Sequence, residues 1–263
     1  VSRRKKEIIE RECHGLVEFV EPGHTFAEVG GLEGLKTDLM RVATAIKRGN
    51  TKRVPMGILF VGPMGTGKTY VAEAFAAESG LTCLKFKNFR ERWVGSTEGN
   101  LEKILDVVEG LGQVLLIIDE ADRSMGSGSD GDGGTTSRVI ARLKEFMSDT
   151  SHRGRVVMLM MTNRPDKLDA DLKRPGRFDL KIPFFFPEDC ETRIAILGAS
   201  SRKNGVQLDG SADLRPIAEA TVGYSSAELE LVMLAAAAIA DDAGRSSVSG
   251  DDLARATQDV IPS

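Results

Sequence analysis

Residues Gly62–Thr69 read Gly-Pro-Met-Gly-Thr-Gly-Lys-Thr and lie between an apolar run, Gly57–Val61, and a helix-forming stretch that opens at Tyr70. A glycine-rich turn between a buried strand and a helix is a cradle for phosphate. The glycines let backbone N–H groups curl inward, and the helix N-terminus adds partial positive charge. Pro63, Met64, Gly65, Thr66 and Gly67 form the curl, Lys68 has the reach for β- and γ-phosphates, and the Thr69 hydroxyl suits Mg²⁺. About fifty residues on, the apolar run Val114–Ile118 ends in Asp119 and Glu120. Two acids at the carboxyl end of a buried strand sit where open α/β sheets bind ligands. Asp119 suits the Mg²⁺ shell and Glu120 the base that deprotonates an attacking water. Asn163 follows the run Val156–Met161 and can hold that water. Arg174 and Arg177 flank Pro175-Gly176. An arginine supplied by a neighbouring subunit stabilises transition-state charge, worth about 10³–10⁵ in rate in nucleotide hydrolases. Surface salt bridges are the competing reading for this pair, and which of the two is the main finger stays open. The set implies binding and hydrolysis of a nucleoside triphosphate.

The elements that must position these residues follow from hydrophobic pattern. Short runs rich in Val, Ile, Leu, Phe and Met predict strands at 57–61, 82–87, 114–118, 155–161 and 179–184. Helices are predicted at 33–48, 68–79, 97–110 and 135–149. Alternation of near-continuous apolar strands with helices predicts an α/β fold, a parallel five-stranded sheet with helices on both faces. After Pro187 the pattern is helical only, at about 188–202, 212–220, 225–243 and 249–260, with Ser225 and Ser249 as N-caps. The domain reading is therefore an N-terminal linker helix at 1–24, an ATPase-type core at 25–186 and a small C-terminal all-helical lid at 187–263.

Composition narrows the function classes. A chain of 263 residues supports one large core and a small second unit. A net charge of −4 gives no overall attraction to nucleic acid. Cys13, Cys83 and Cys190 are scattered without a Cys-x-x-Cys pair, which points to a reducing, cytoplasmic setting without disulfides or zinc. No apolar run approaches the roughly 20 residues of a membrane span, so a soluble protein is expected. The sequence opens at Val1 without an initiating Met and reads as a piece of something longer.

With these motifs in this order, the chain resembles the AAA family of ATPases from Phe26 to Ser263. Phe26-Ala-Glu-Val-Gly-Gly-Leu32 resembles the family's adenine-side motif, which implies base contact by the backbone of Glu28, Val29 and Gly30. Met161–Pro165 matches the sensor strand end, and Leu172–Asp179 the paired arginine fingers. Gly223–Leu229 matches the lid segment, which implies nucleotide contact at Ser226 and Ala227. Ser200 stands where many relatives carry a histidine beside the nucleotide, and Met64 where proline is usual. The resemblance implies ATP and Mg²⁺ as cofactors and a homo-oligomeric ring, usually a hexamer. It also implies a pore loop at Arg92–Glu98 in which Trp93, with Val94 and Gly95, grips an extended polypeptide; local core packing is the competing reading of Trp93. The function expected is ATP hydrolysis coupled to remodelling, threading or disassembly of a protein substrate. The rivals are a nucleic-acid motor or clamp-loader-like switch, and an ATP-gated scaffold that scarcely turns over.

Overall fold

The computed structural model describes residues 7–262 apart from 8, 10, 12, 14, 15, 87–96 and 122–132. The chain divides into two compact units, one of residues 1–23, 37–62 and 72–183, the other of 24–36, 63–71 and 184–263.

The first unit is built on a six-stranded sheet. Its strands are β1 (Val17–Phe19), β2 (Gly57–Val61), β3 (Thr82–Phe86), β4 (Val114–Ile118), β5 (Val156–Thr162) and β6 (Leu180–Pro183), in the spatial order β1-β3-β4-β5-β2-β6. Five of them, β2 to β6, pair in parallel, and the near-continuous apolar sequences of β2, β4 and β5 suit burial on both faces. All five residues of β4 and all seven of β5 are buried. Its helices are α3 (Thr97–Leu111), α4 (Gly133–Ser148) and the parts of α1 (Glu33–Lys47) and α2 (Lys68–Ser79) that run from Thr37 and Ala72. In α1, Leu39, Val42, Ala43 and Ile46 recur at helical spacing and are buried.

The five expected parallel strands are present, and a sixth joins them. Within the segment expected to be a linker helix, 1–24, Val17–Phe19 is a strand antiparallel to β3. Residues 7, 9 and 11 are helical, and Ile9, Cys13, Leu16 and Val17 enter the core of this unit. A mixture of buried apolar positions on a short segment fits either period, and pairing that covers the open edge of β3 decides for the strand.

In the second unit, four helices enclose their own core: α5 (Cys190–Lys203), α6 (Leu214–Ala220), α7 (Ser226–Asp242) and α8 (Gly250–Asp259). Each starts at a side-chain cap: Asp189, Asp213, Ser225 and Ser249. Ser225 with Glu228, and Ser249 with Asp252, close reciprocal capping boxes that satisfy two otherwise orphaned N–H groups at each helix start. Asp252 is almost fully buried and also takes a two-point contact from Arg245, at 2.5 and 2.7 Å.

The Arg245 guanidinium, then the Ser249 hydrogen bonds, hold the Asp252 carboxyl well below its ordinary range against the opposing effect of burial. A depressed folded-state pKa means stability that is present above the unfolded value, near 3.8, and lost as pH falls through the folded one. Asp252→Asn is therefore predicted to lower stability at pH 7 by about 2 kcal/mol, with the deficit shrinking as pH approaches 3. Thermal melts at the two pH values check this, and a deficit independent of pH would contradict it.

Candidate nucleotide site

The second unit carries the phosphate loop and the segment proposed for the base. Gly65 and Gly67 have φ of 77° and 85°, the left-handed region where a side chain would be strained. The curl closes on the Pro63 carbonyl, which accepts from Thr66 Oγ1 at 2.9 Å and from Lys68 Nζ at 2.6 Å. Lys68 and Thr66 are buried, while Met64 is exposed at the outer turn of the loop. The start of α7 packs on this loop, with Ala227 N–H donating to Gly65 O at 3.0 Å. A Cβ on Gly65 would come within 2.8 Å of Ser225 Oγ. The structure thus brings together Gly65 and Ala227, two residues singled out far apart in the sequence.

Nearby in the same unit, Gly30 lies against α5 so closely that a Cβ would approach Ala195 O to 2.5 Å. Gly31 and Leu32 follow with φ of 66° and 60°. The Glu28 carboxylate binds Thr25, whose hydroxyl and N–H donate at 2.7 and 2.8 Å and hold its pKa below the usual value. Its side chain is thus committed locally, and the backbone here is also engaged, with Glu28 N–H donating to Thr25 O at 3.2 Å, Val29 N–H to Phe26 O at 3.3 Å and Lys36 Nζ to Val29 O at 3.0 Å. Ser200 is buried on α5 and accepts from Asn204 Nδ2 at its carbonyl (3.0 Å) and hydroxyl (3.4 Å).

Tyr70 shows a feature that motif reading missed. The His24 ring stacks on it at 3.7 Å, 10° from parallel, and His24 Nε2 donates to Tyr70 O at 2.7 Å. Lys203 Nζ lies 4.8 Å from the Tyr70 ring centre and is held by Glu230. His24 appears in the sequence only as the residue after Pro22-Gly23, and Lys203 as one charge on a helix, so neither carried a signal.

The first unit carries the hydrolytic candidates. Parallel register sets Ile118 of β4 level with Met160 of β5, and Thr162 of β5 level with Val61 of β2. Asp119 and Glu120, Asn163 and Gly62 therefore leave the sheet side by side at one edge, and Gly62 N–H donates to Thr162 O at 3.2 Å. Glu120 has φ of 47°, a strained conformation for a glutamate that tends to be kept where it aims a functional side chain. Asp119 accepts from Glu120 N–H through Oδ1 at 2.9 Å and from Lys85 Nζ through Oδ2 at 3.0 Å. The Asp119 carboxylate offers hard oxygen donors, the type Mg²⁺ requires, and the Lys85 ammonium beside it marks a position that accepts a cation.

The arginines are elsewhere in this unit. Arg177 Nη1 donates to Asp171 O at 2.8 Å, and Arg174 pairs with the Asp171 carboxylate at 3.1 Å with its side chain largely exposed. Their loop precedes β6, whose Leu180 is level with Ile58, near the start of β2. A Cβ on Gly57, the first residue of β2, would lie 2.9 Å from Arg177 O. The arginines are therefore at the opposite end of the strands from Asp119, Glu120 and Asn163, with four residues of β2, about 13 Å, between. Trp93, Val94 and Gly95 lie outside the described residues.

Residues 58–186 match the family described as "ATPase family associated with various cellular activities (AAA)". The chain belongs to the AAA family of ATPases. Over 255 residues it is 34% identical to the chloroplastic "ATP-dependent zinc metalloprotease FTSH" of Nicotiana tabacum, covering 93% of this chain and 35% of that protein. It is 33% identical to "ATP-dependent zinc metalloprotease FtsH 1" of Sphaerobacter thermophilus, over 92% of this chain and 38% of the relative. The "ATP-dependent zinc metalloprotease FtsH" of Staphylococcus haemolyticus is 32% identical over 90% of this chain and 33% of its own length. The AAA chain thus spans about a third of the length of these curated relatives.

Asp179 fixes the arginine loop of this AAA chain. It accepts from Gly176 N–H at 2.5 Å and Met56 N–H at 3.2 Å, and Arg153 lies at 3.6 Å. Asp179→Ala is predicted to cost about 1–3 kcal/mol, the penalty of leaving such donors unmet. Asp179→Asn, which keeps one acceptor oxygen, should cost less. Denaturant unfolding of both variants decides, and equal stability of wild type and Asp179→Ala would refute the anchoring role.

Proposed function

We propose that this chain is the ATP-hydrolysing module of a homo-oligomeric ring, a hexamer, and that it couples hydrolysis to remodelling a protein substrate drawn through a central pore. The observation that carries the ring is the location of the arginines. At the far end of the strands from Asp119, Glu120 and Asn163, they are too distant to serve those residues within one chain. They suit a phosphate held by a neighbouring copy. The names of the relatives, ATP-dependent proteases, support protein as the substrate class; their zinc chemistry is no part of this proposal.

In this reading the N–H groups of Met64–Thr69 and the Lys68 ammonium hold the β- and γ-phosphates. Proline lacks an N–H, so the donors begin at Met64. Thr69 and Asp119 are the residues that would hold Mg²⁺, which would supply positive charge against the phosphates. Asn163 orients the water and Glu120 accepts its proton. Arg174 and Arg177 of a neighbouring copy meet the charge that develops on the transferred phosphoryl group. Glu28, Val29 and Gly30, with Tyr70 and Ser200, border the base and ribose, and Ser226 and Ala227 join the lid to the phosphate loop. Trp93, Val94 and Gly95 form the grip on polypeptide, where an aromatic ring gives contact largely indifferent to sequence. The setting proposed is a soluble, reducing, cytoplasmic one.

The test is Glu120→Gln. The amide keeps the shape of the side chain and cannot take the water's proton, so the variant should retain Mg·ATP while turnover falls about 10²-fold or more. Held with ATP, it should also retain an unfolded model polypeptide, and adding Trp93→Ala should release the polypeptide but not the nucleotide. Normal turnover in Glu120→Gln would remove the proposed base. Capture of DNA instead of polypeptide would favour a nucleic-acid motor.

A further inference from the structure

Lys85 belongs to none of the motifs that carry ATP hydrolysis, yet it contacts one of their central residues. It lies on β3, adjacent and parallel to β4, with its Cα level with Ile117. Side chains alternate along a strand, so Lys85, Ile117 and Asp119 share one face of the sheet. The lysine reaches along that face and places Nζ 3.0 Å from Asp119 Oδ2, with about a quarter of each side chain exposed. Cys83, two residues back on β3, is a neutral thiol whose pKa is pushed up to about 12, chiefly by burial. The Lys85 charge is therefore matched on this face by a carboxylate and not by a thiolate. Asp119 in turn spends its other oxygen on Glu120 N–H, which ties the ion pair to the strained residue proposed as the base.

A carboxylate cannot give the same oxygen fully to an ammonium and to a divalent cation. We propose that Lys85 is a positioning residue for the metal: its ammonium is a resident counter-charge that Mg²⁺ displaces from Asp119. Lys85 thereby sets the Mg²⁺ concentration at which nucleotide binding tightens. The inference rests on the reading of Asp119 as a metal-shell residue. It gives the ammonium two consequences. While paired, it keeps a half-buried carboxylate neutralised and in place. On metal binding it raises the concentration of Mg²⁺ required, since the ion pair must open first.

The experiment is equilibrium binding of a fluorescent ADP analogue with Mg²⁺ titrated from zero, on wild type, Lys85→Met and Lys85→Arg. Lys85→Met should shift the Mg²⁺ midpoint about tenfold lower, a modest share of the Coulomb energy of a half-buried pair, and leave metal-free nucleotide affinity unchanged. Lys85→Arg, which keeps the charge, should stay near wild type. Circular dichroism confirms folding, and Lys85→Gln replaces Lys85→Met if the latter unfolds. An unchanged or raised midpoint in the neutral variants overturns the proposal, as does loss of metal-free nucleotide affinity, which would put Lys85 on the phosphates instead. If the wild type binds nucleotide with no response to Mg²⁺, the metal-shell reading of Asp119 fails, and this inference with it.

Discussion

The parallel pairing of β4, β5 and β2 is the constraint on which the chemistry of this chain depends. Parallel strands all present their carboxyl ends at one edge, and the register brings three of those ends nearly level. Asp119 with Glu120, Asn163, and the start of the phosphate loop at Gly62 are thus neighbours because of backbone hydrogen bonding. No contact between their side chains is needed. The burial of every residue of β4 and β5 makes that register expensive to change, since a slip of one residue would turn each side chain to the other face.

The same geometry sets the two arginines apart from these residues. A loop that enters a parallel strand does so at the amino end, so Arg174 and Arg177, which precede β6, are held at the opposite edge. Asp171 and Asp179 hold that loop through Arg177, Arg174 and Gly176. In the second unit the phosphate loop is curled on the Pro63 carbonyl and tied to α7 through Gly65 and Ala227, so the loop and the lid helix share a hydrogen bond. In the proposed reading a neighbouring copy supplies what one copy lacks, and that is the physical case for an oligomer.

Much of this was legible in the sequence, because long apolar runs and capped helices obey simple periodicities. The strands β2 to β6 and the helices α1 to α8 fall within about two residues of their expected bounds. The exception, β1, is three residues long and lacks the length over which a period can be read. Among candidate residues, those in glycine-rich or strand-end motifs announced themselves through spacing. His24, Lys85, Asp171, Asp179 and Lys203 did not, because each acts through a partner distant in sequence or through the backbone. Strand register turns Lys85 toward Asp119, 34 residues away. A short polar loop makes Asp179 the acceptor for Gly176 and Met56. Side chains that position other groups carry no local pattern, and only the folded chain reveals them.

The central claim is that one copy holds an incomplete hydrolytic set which a neighbouring copy completes. Steady-state ATP turnover per chain, measured across a wide range of protein concentration with light scattering in parallel, tests it most directly. The account predicts that specific activity is low when the protein is dilute and rises as assembly proceeds, in step with the scattering signal. Turnover per chain that is the same for monomer and assembly would contradict it, because the arginines would then have to act within a single copy.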